Sequence, residues 1–346
     1  MKRLAVPAGG FRRIAVLRLS SLGDVILALP ATRALAAAFP GARVDFWTKA
    51  EYEDVVRFEP AIAHVRRLEP DARRIEDLVS MGAELEDRDL IVDLHGSLRT
   101  RLLCFRQRAP VLRAPSFRLA RARQVHARWT RPAPLPPALE RYARALRPLG
   151  LAVPGAPEVV AGPEAEGWAR GWVAAWPGAG PLVALCPGAR HPTKQWPEER
   201  WIELHRALRE RGARLLVLAL ESERRALPAL AALAEGDPQV RWSSEPLARL
   251  AALLSHAPAA VTQDSGLMHL AAARGTRVVA LFGSTSPALG FAPAGDGHVV
   301  LCRNEPCQPC TLHGRASCPR GHFDCMRRLE VAEVVRALEG MGALGG

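Results

Sequence analysis

The sequence predicts an α/β protein of two domains, each built on a parallel sheet. Short apolar runs alternate with stretches of helical periodicity, the pattern of βαβ units. The alternation pauses at a Gly-, Pro- and Ala-rich stretch over 150–163, which reads as an interdomain linker, and then restarts. A chain of 346 residues also exceeds one ordinary hydrophobic core.

In the first half, Arg13 to Leu19 reads as a buried strand, followed by Ser20-Ser21-Leu22-Gly23-Asp24 and an apolar helical stretch to Phe39. Pro30 lies inside that stretch and should kink or divide it. The loop lacks a Gly-x-Gly-x-x-Gly or Walker pattern, so dinucleotide and P-loop readings are weak. Asp24 either opens the helix or presents a carboxylate where open α/β sheets bind ligands. Further strands are expected at 42–48, 62–68 and 89–94, and His95-Gly96-Ser97 follows the last of them. Between Asp93 and Glu140 there is no acidic residue, while arginines recur from Arg99 and Arg101 to Arg128 and Arg131. Such a run is either a solvated face or, because it repels itself, the surface for an anionic acceptor or membrane. The Pro-rich piece 131–137 precedes a helix reaching about Leu149.

In the second half, Leu182 to Cys186 is a strand, and the loop after it carries Lys194 just before a helix opening at Pro197-Glu198-Glu199. The lysines of this chain are Lys2, Lys49 and Lys194, so Lys194 stands out as a point charge suited to a diphosphate. A strand over 213–220 ends at Glu221-Ser222-Glu223, where a carboxylate could accept from ribose hydroxyls. A short helix over 247–254 leads into Ala259 to Gly275, read as strand, tight turn and helix, with Asp264 as the cap and Gly275 as the stop. Ser265 and His269 share one helical face, Gly266 permits close approach, and the helix start is an anion site. Arg277 to Phe282 is a further strand ending in Gly283-Ser284-Thr285-Ser286-Pro287. Three strand ends thus converge with Lys, Asp, Ser, His and Gly, the composition of a phosphate pocket.

The composition is 49% hydrophobic and 24% charged, ordinary for a globular protein, with a formal net charge of +12. That sign attracts nucleic acid, an anionic membrane or a phosphorylated substrate. No apolar run approaches the roughly 20 residues that span a bilayer. Gly9, Gly10, Arg12 and Arg13 interrupt any signal-peptide core. The expected location is cytoplasmic, at the periphery of the inner membrane.

The motifs SSLGDV at 20–25, PGARHPTKQWPEERW at 187–201, DSGLMHLAAA at 264–273 and FGSTSP at 282–287 together resemble glycosyltransferase family 9, the lipopolysaccharide heptosyltransferases. The resemblance implies a GT-B architecture, two Rossmann-like domains facing a central cleft. It places acceptor binding in residues 1–155, donor binding in 164–328, and a helix crossing back towards the first domain in 329–346. It implies inverting transfer of heptose from ADP-heptose to the Kdo/heptose inner core on lipid A, more like the II than the I type of enzyme. Asp24 would be the base. Lys194, Glu221, Asp264, Ser265, Gly266 and His269 would bind the donor, and Ser21, Gly23, His95, Arg99 and Arg101 the acceptor. The family's glycine-containing turn after the 213–220 strand is missing, so Glu223 competes with Glu221 for the ribose. The scheme calls for no cofactor, no catalytic metal and no nucleic acid, and for a monomer. Transfer of another activated sugar, a nucleotide-sugar epimerase of the same architecture, and a noncatalytic basic membrane- or nucleic-acid-binding protein are the alternatives.

Of seven cysteines, Cys307, Cys310, Cys318 and Cys325 cluster near the C-terminus, with Cys302, His313 and His322 close by. Their spacing is metal-like; a structural zinc, ordinary thiols and an occasional disulfide are the readings it allows. A zinc there would staple a loop and take no part in catalysis.

Overall fold

The computed structural model describes residues 3–68, 75–127 and 133–344. Contacts divide the chain into two units, residues 1–117 with 136–160 and residues 118–135 with 161–346. The break at 160/161 falls inside the stretch read as a linker, and the segment 118–135 joins the second unit.

In the first unit, β1 (Arg13–Leu17) leads into α1 (Leu22–Leu27) and α2 (Leu29–Ala38). Pro30 opens α2, dividing the helical stretch as its missing N–H and fixed φ require. Then come β2 (Arg43–Lys49), β3 (His64–Leu68), α3 (Ile75–Ala83), β4 (Leu90–Asp93), α4 (Leu98–Leu103) and β5 (Val111–Arg113). The segment 118–135 contains α5 (Arg118–His126), and α6 (Ala138–Leu146) returns to the first unit. The sheet is all parallel in the order β3-β2-β1-β4-β5. Both faces of β1 are covered: Ala15 and Leu17 pack with Trp47, Leu78, Ile91 and Leu103, while Ile14 and Val16 are equally buried. Strands buried on both faces need the continuous apolar runs seen in the sequence.

The second unit runs α7 (Pro163–Ala174), β6 (Leu182–Cys186), α8 (Glu198–Glu210), β7 (Arg214–Leu218), α9 (Glu221–Ala226), α10 (Pro228–Gly236) and β8 (Val240–Ser243). It continues with α11 (Leu247–Leu254), β9 (Ala259–Gln263), α12 (Gly266–Ala273), β10 (Arg277–Phe282), β11 (Val299–Cys302), α13 (Asp324–Arg327) and α14 (Val331–Gly340). Its parallel sheet has the order β11-β10-β9-β6-β7-β8. The C-terminal helix expected to cross back, α14, is built into the core of this unit. Val331, Val334, Val335 and Leu338 pack with Trp196, Trp201 and Leu204.

In each sheet the chain starts at a central strand, moves to one side, and then returns to begin the other side. The switch points lie between β1 and β4 and between β6 and β9. Ligand crevices of open α/β sheets form at such points, outside the carboxyl ends of the strands. Among the described residues no helix is long and apolar enough to cross a membrane.

The arginine-rich stretch is less self-repelling than its sequence suggests. Arg113 pairs with the buried Asp93 at 3.2 Å, Arg106 covers the ring of Phe105, and Arg121 that of Phe291. Arg128 and Arg131 lie outside the described residues.

Candidate functional site

At the first switch point, the carboxylate of Asp24 is ringed by donors. Arg18 Nη2 lies 2.7 Å from Oδ2, Ser21 Oγ donates to Oδ2 at 3.0 Å, and the Tyr142 hydroxyl donates to Oδ1 at 2.6 Å. Arg18 is anchored by donating from Nη1 to the Leu94 carbonyl at 2.7 Å, and its guanidinium covers the Tyr142 ring. Ser21 is the N-cap of α1, and Gly23 is buried in the first turn. Burial works to raise the carboxyl's pKa, but Arg18, Tyr142 and Ser21 together outweigh it and bring the value down to about 2. Asp24 is therefore a carboxylate at any physiological pH.

The end of β4 completes this cluster. Asp93, fully buried, accepts the backbone N–H groups of His95 at 3.1 Å and Gly96 at 2.8 Å, fixing the turn. Burial, with Arg18 nearby, pushes the His95 imidazole down to about 4, so the ring is neutral. Arg99 and Arg101 lie on α4, where Ser97 accepts the Thr100 N–H as N-cap. Arg101 is exposed and Arg99 half-buried.

Arg18 and Tyr142 are absent from the sequence expectation. Arg18 was read as part of an apolar strand, and Tyr142 is 118 positions from Asp24. The sequence did carry a signal: a charged residue between Leu17 and Leu19, and one of just two tyrosines in the chain.

At the second switch point, Lys194 Nζ lies 2.8 Å from Asp264 Oδ2 and the Thr285 hydroxyl donates to the same oxygen at 2.6 Å. The loops after β6, β9 and β10 are thus joined by one carboxylate. Asp264 does not cap α12, as expected from sequence; Ser265 occupies the N-cap position. The Asp264 side chain is turned to Lys194 instead, because a buried carboxylate next to a lysine gains more from the ion pair than from a backbone N–H. Ser265 makes no side-chain cap bond, and its buried Oγ has no hydrogen-bond partner among the described residues. Gly266 opens the helix, and His269 is buried on the next turn. Swapped to the orientation that satisfies both ends, the Gln263 amide donates to the Lys194 carbonyl and accepts from Trp196 N–H, each at 2.8 Å.

The two acidic candidates at the β7 end diverge. Glu221 is exposed and accepts from Ser244 Oγ at 3.1 Å. Glu223 turns inward over Gly188, where a Cβ would come within 2.2 Å of its carboxylate carbon and oxygens. Burial raises the Glu223 pKa, partly opposed by the Leu220 N–H it accepts at 2.9 Å.

Residues 78–317 match the family model of glycosyltransferase family 9 (heptosyltransferase). The chain is 33% identical to lipopolysaccharide heptosyltransferase 1 of Pseudomonas aeruginosa, over 95% of this chain and 98% of that protein. A shorter match, 34% identical over 31% of this chain and 32% of the relative, is to lipopolysaccharide heptosyltransferase 2 of Salmonella typhimurium. In fold it resembles the Escherichia coli ADP-heptose heptosyltransferase II, with a TM-score of 0.71 at 20% identity over 95% of this chain and 98% of the other. The two parallel α/β units accordingly form a GT-B glycosyltransferase, and the chain belongs to glycosyltransferase family 9, the heptosyltransferases of lipopolysaccharide synthesis.

Proposed function

We propose that this glycosyltransferase transfers heptose from ADP-heptose to a sugar of the lipopolysaccharide inner core, with inversion, and that Asp24 is the base. The carrying observation is the ionised Asp24 carboxylate at the switch point of the first sheet, held by Arg18, Tyr142 and Ser21.

The second unit takes the donor. Lys194 and the first turn of α12 supply positive charge and N–H donors for a diphosphate, and the partnerless Ser265 Oγ is an added donor at that turn. Asp264 aims the Lys194 ammonium, and the incoming diphosphate competes with it for that group. Glu223, inward-facing over Gly188, is the better placed carboxylate for the ribose hydroxyls; Glu221 faces outward. His269 packs beneath the phosphate-binding turn.

Chemistry follows from these charges. The acceptor hydroxyl oxygen bonds to the anomeric carbon as the bond to the β-phosphate oxygen breaks, and the diphosphate leaves with the electron pair. The hydroxyl proton passes to Asp24. A carboxyl with a pKa near 2 is a weak base, so proton transfer is late, when the attacking oxygen has become strongly acidic. An acceptor carboxylate or phosphate that draws Arg18 away from Asp24 raises its basicity, coupling acceptor binding to catalysis. The exposed Arg101, Arg106 and Arg108 suit such an anionic acceptor on a membrane face, and the enzyme works at the cytoplasmic side as a monomer.

The full-length relative carries the type 1 name while the type 2 match is partial, so we assign the first transfer, onto Kdo. Assays with acceptors ending in Kdo or in one heptose test this; exclusive use of the heptose-terminated acceptor reverses the assignment.

A further inference from the structure

We propose that Cys307, Cys310, Cys318 and Cys325 bind one divalent metal ion through four thiolates, and that this ion clamps the loop behind Lys194. All four line one cavity of about 10 Å³, the size of a single water or small ion, together with His322, Thr193 and Ser284. All are free thiols; Cys325 is buried and the others half-buried. Two residues separate the first pair, and the remaining two cysteines arrive from the turn at Cys318 and from α13. Four sulfurs of this kind match the donor set of a closed tetrahedral site for zinc or iron(II).

His322 stands beside the sulfurs: its Nδ1 accepts the Asp324 N–H at 3.0 Å, and its Nε2 lies 3.8 Å from the Cys307 sulfur. Among the described residues no three His, Cys, Asp or Glu side chains stand in position to hold a metal ion. Binding therefore requires the thiols to turn towards one another within the cavity that all four line.

The segment carrying these cysteines is fastened to the phosphate-binding loops. Arg315 N–H donates to Thr193 Oγ1 at 2.8 Å, Thr193 N–H to the Arg315 carbonyl at 3.2 Å, and Cys310 N–H to the Ser284 carbonyl at 3.0 Å. Gln308 Nε2 reaches the carbonyls of Gly283 at 2.6 Å and Thr285 at 2.9 Å. Gly314 lies so close to His191 that a Cβ there would come within 2.4 Å of the His191 Cβ. Thr193 precedes Lys194, and Thr285 donates to Asp264. A metal closing 307–325 therefore fixes both ends of the Lys194–Asp264–Thr285 contact. The metal site stands apart from the reaction proposed above; its coupling to Lys194 rests on that reading.

The test uses the full chain, stripped with a chelator under reducing conditions and reloaded with Co(II). The expected result is one cobalt per chain with thiolate-to-cobalt absorption in the near ultraviolet and tetrahedral bands in the visible. The band should vanish in the C307S/C310S variant and persist in C302S. Elemental analysis of the protein as purified should find near-stoichiometric zinc or iron. Absence of the thiolate band in wild type, or its survival in C307S/C310S, overturns the site. ADP binding is measured on the same samples, with about tenfold weakening expected on metal removal. Unchanged ADP binding overturns the coupling and leaves the metal site standing. A cobalt-loaded protein that binds no ADP contradicts the proposed donor pocket and not the thiolate site.

Discussion

Asp24 shows how three neighbours outweigh burial. Its carboxyl is held at about 2 against an ordinary 3.8, so the folded state binds that proton less tightly than the unfolded chain. The resulting stabilisation, about 2 kcal/mol, is fully present above pH ~4 and is lost as pH falls towards 2. His95 shifts stability in the same direction over a higher range: with its pKa lowered to about 4 by burial, it costs the fold nothing above its ordinary 6.5 and destabilises it progressively as pH falls towards 4. Acid titration followed by circular dichroism should show Asp24→Asn losing the dependence between pH ~4 and ~2 while keeping the one above. An unchanged slope would remove the ion pair from the account. Tyr142→Phe deletes a donor to the ionised form, so the acid limb of kcat/KM should move to higher pH with KM for the donor unchanged. An unmoved limb would mean Tyr142 does not hold the carboxylate. Asp24 was legible because it follows a strand in a recognisable motif. Arg18 and Tyr142 were not, since their roles exist only once β1 and α6 are brought together.

At the scale of elements, the turns after strands carry the chemistry, and α12 is the clearest case. Ser265→Ala removes a buried hydroxyl with no partner, so the thermal midpoint should hold or rise slightly while ADP binding weakens several-fold. A falling midpoint with intact ADP binding would make Ser265 a packing residue. Gly188→Ala brings a methyl into the Glu223 carboxylate, and displacing that side chain should weaken binding of ADP more than of a diphosphate lacking ribose. Equal losses for both ligands would take Glu223 off the ribose. The strands found from sequence, such as Leu182–Cys186 and Arg277–Phe282, are continuous apolar runs buried on both faces. The strands missed, Val111–Arg113, Val240–Ser243 and Val299–Cys302, are three or four residues long and lie at sheet edges, too short for an apolar run to mark them as strands. Cap identity at Ser265 was missed because Asp264's true partner, Lys194, is distant in the chain.

For the whole molecule, the net charge of +12 and the exposed arginines of the first unit bear on where the enzyme works. Sedimentation with vesicles should show binding to anionic bilayers that weakens as salt rises, and little binding to neutral ones. Equal binding to both would place the charge elsewhere in the account. The two-unit organisation was legible from the restart of the βα rhythm, whereas the membership of residues 118–135 was not. The arginine-rich run passes from Arg99 to Arg131 across the start of that segment, so composition does not mark where it leaves the first unit.

The central claim, that Asp24 is the base of a transfer from ADP-heptose, is tested most directly by comparing wild type and Asp24→Asn for sugar transfer to a Kdo-terminated acceptor, with donor affinity measured in parallel. The variant is expected to bind donor normally and to transfer at least ~100-fold more slowly. Wild-type-like transfer by Asp24→Asn would contradict it.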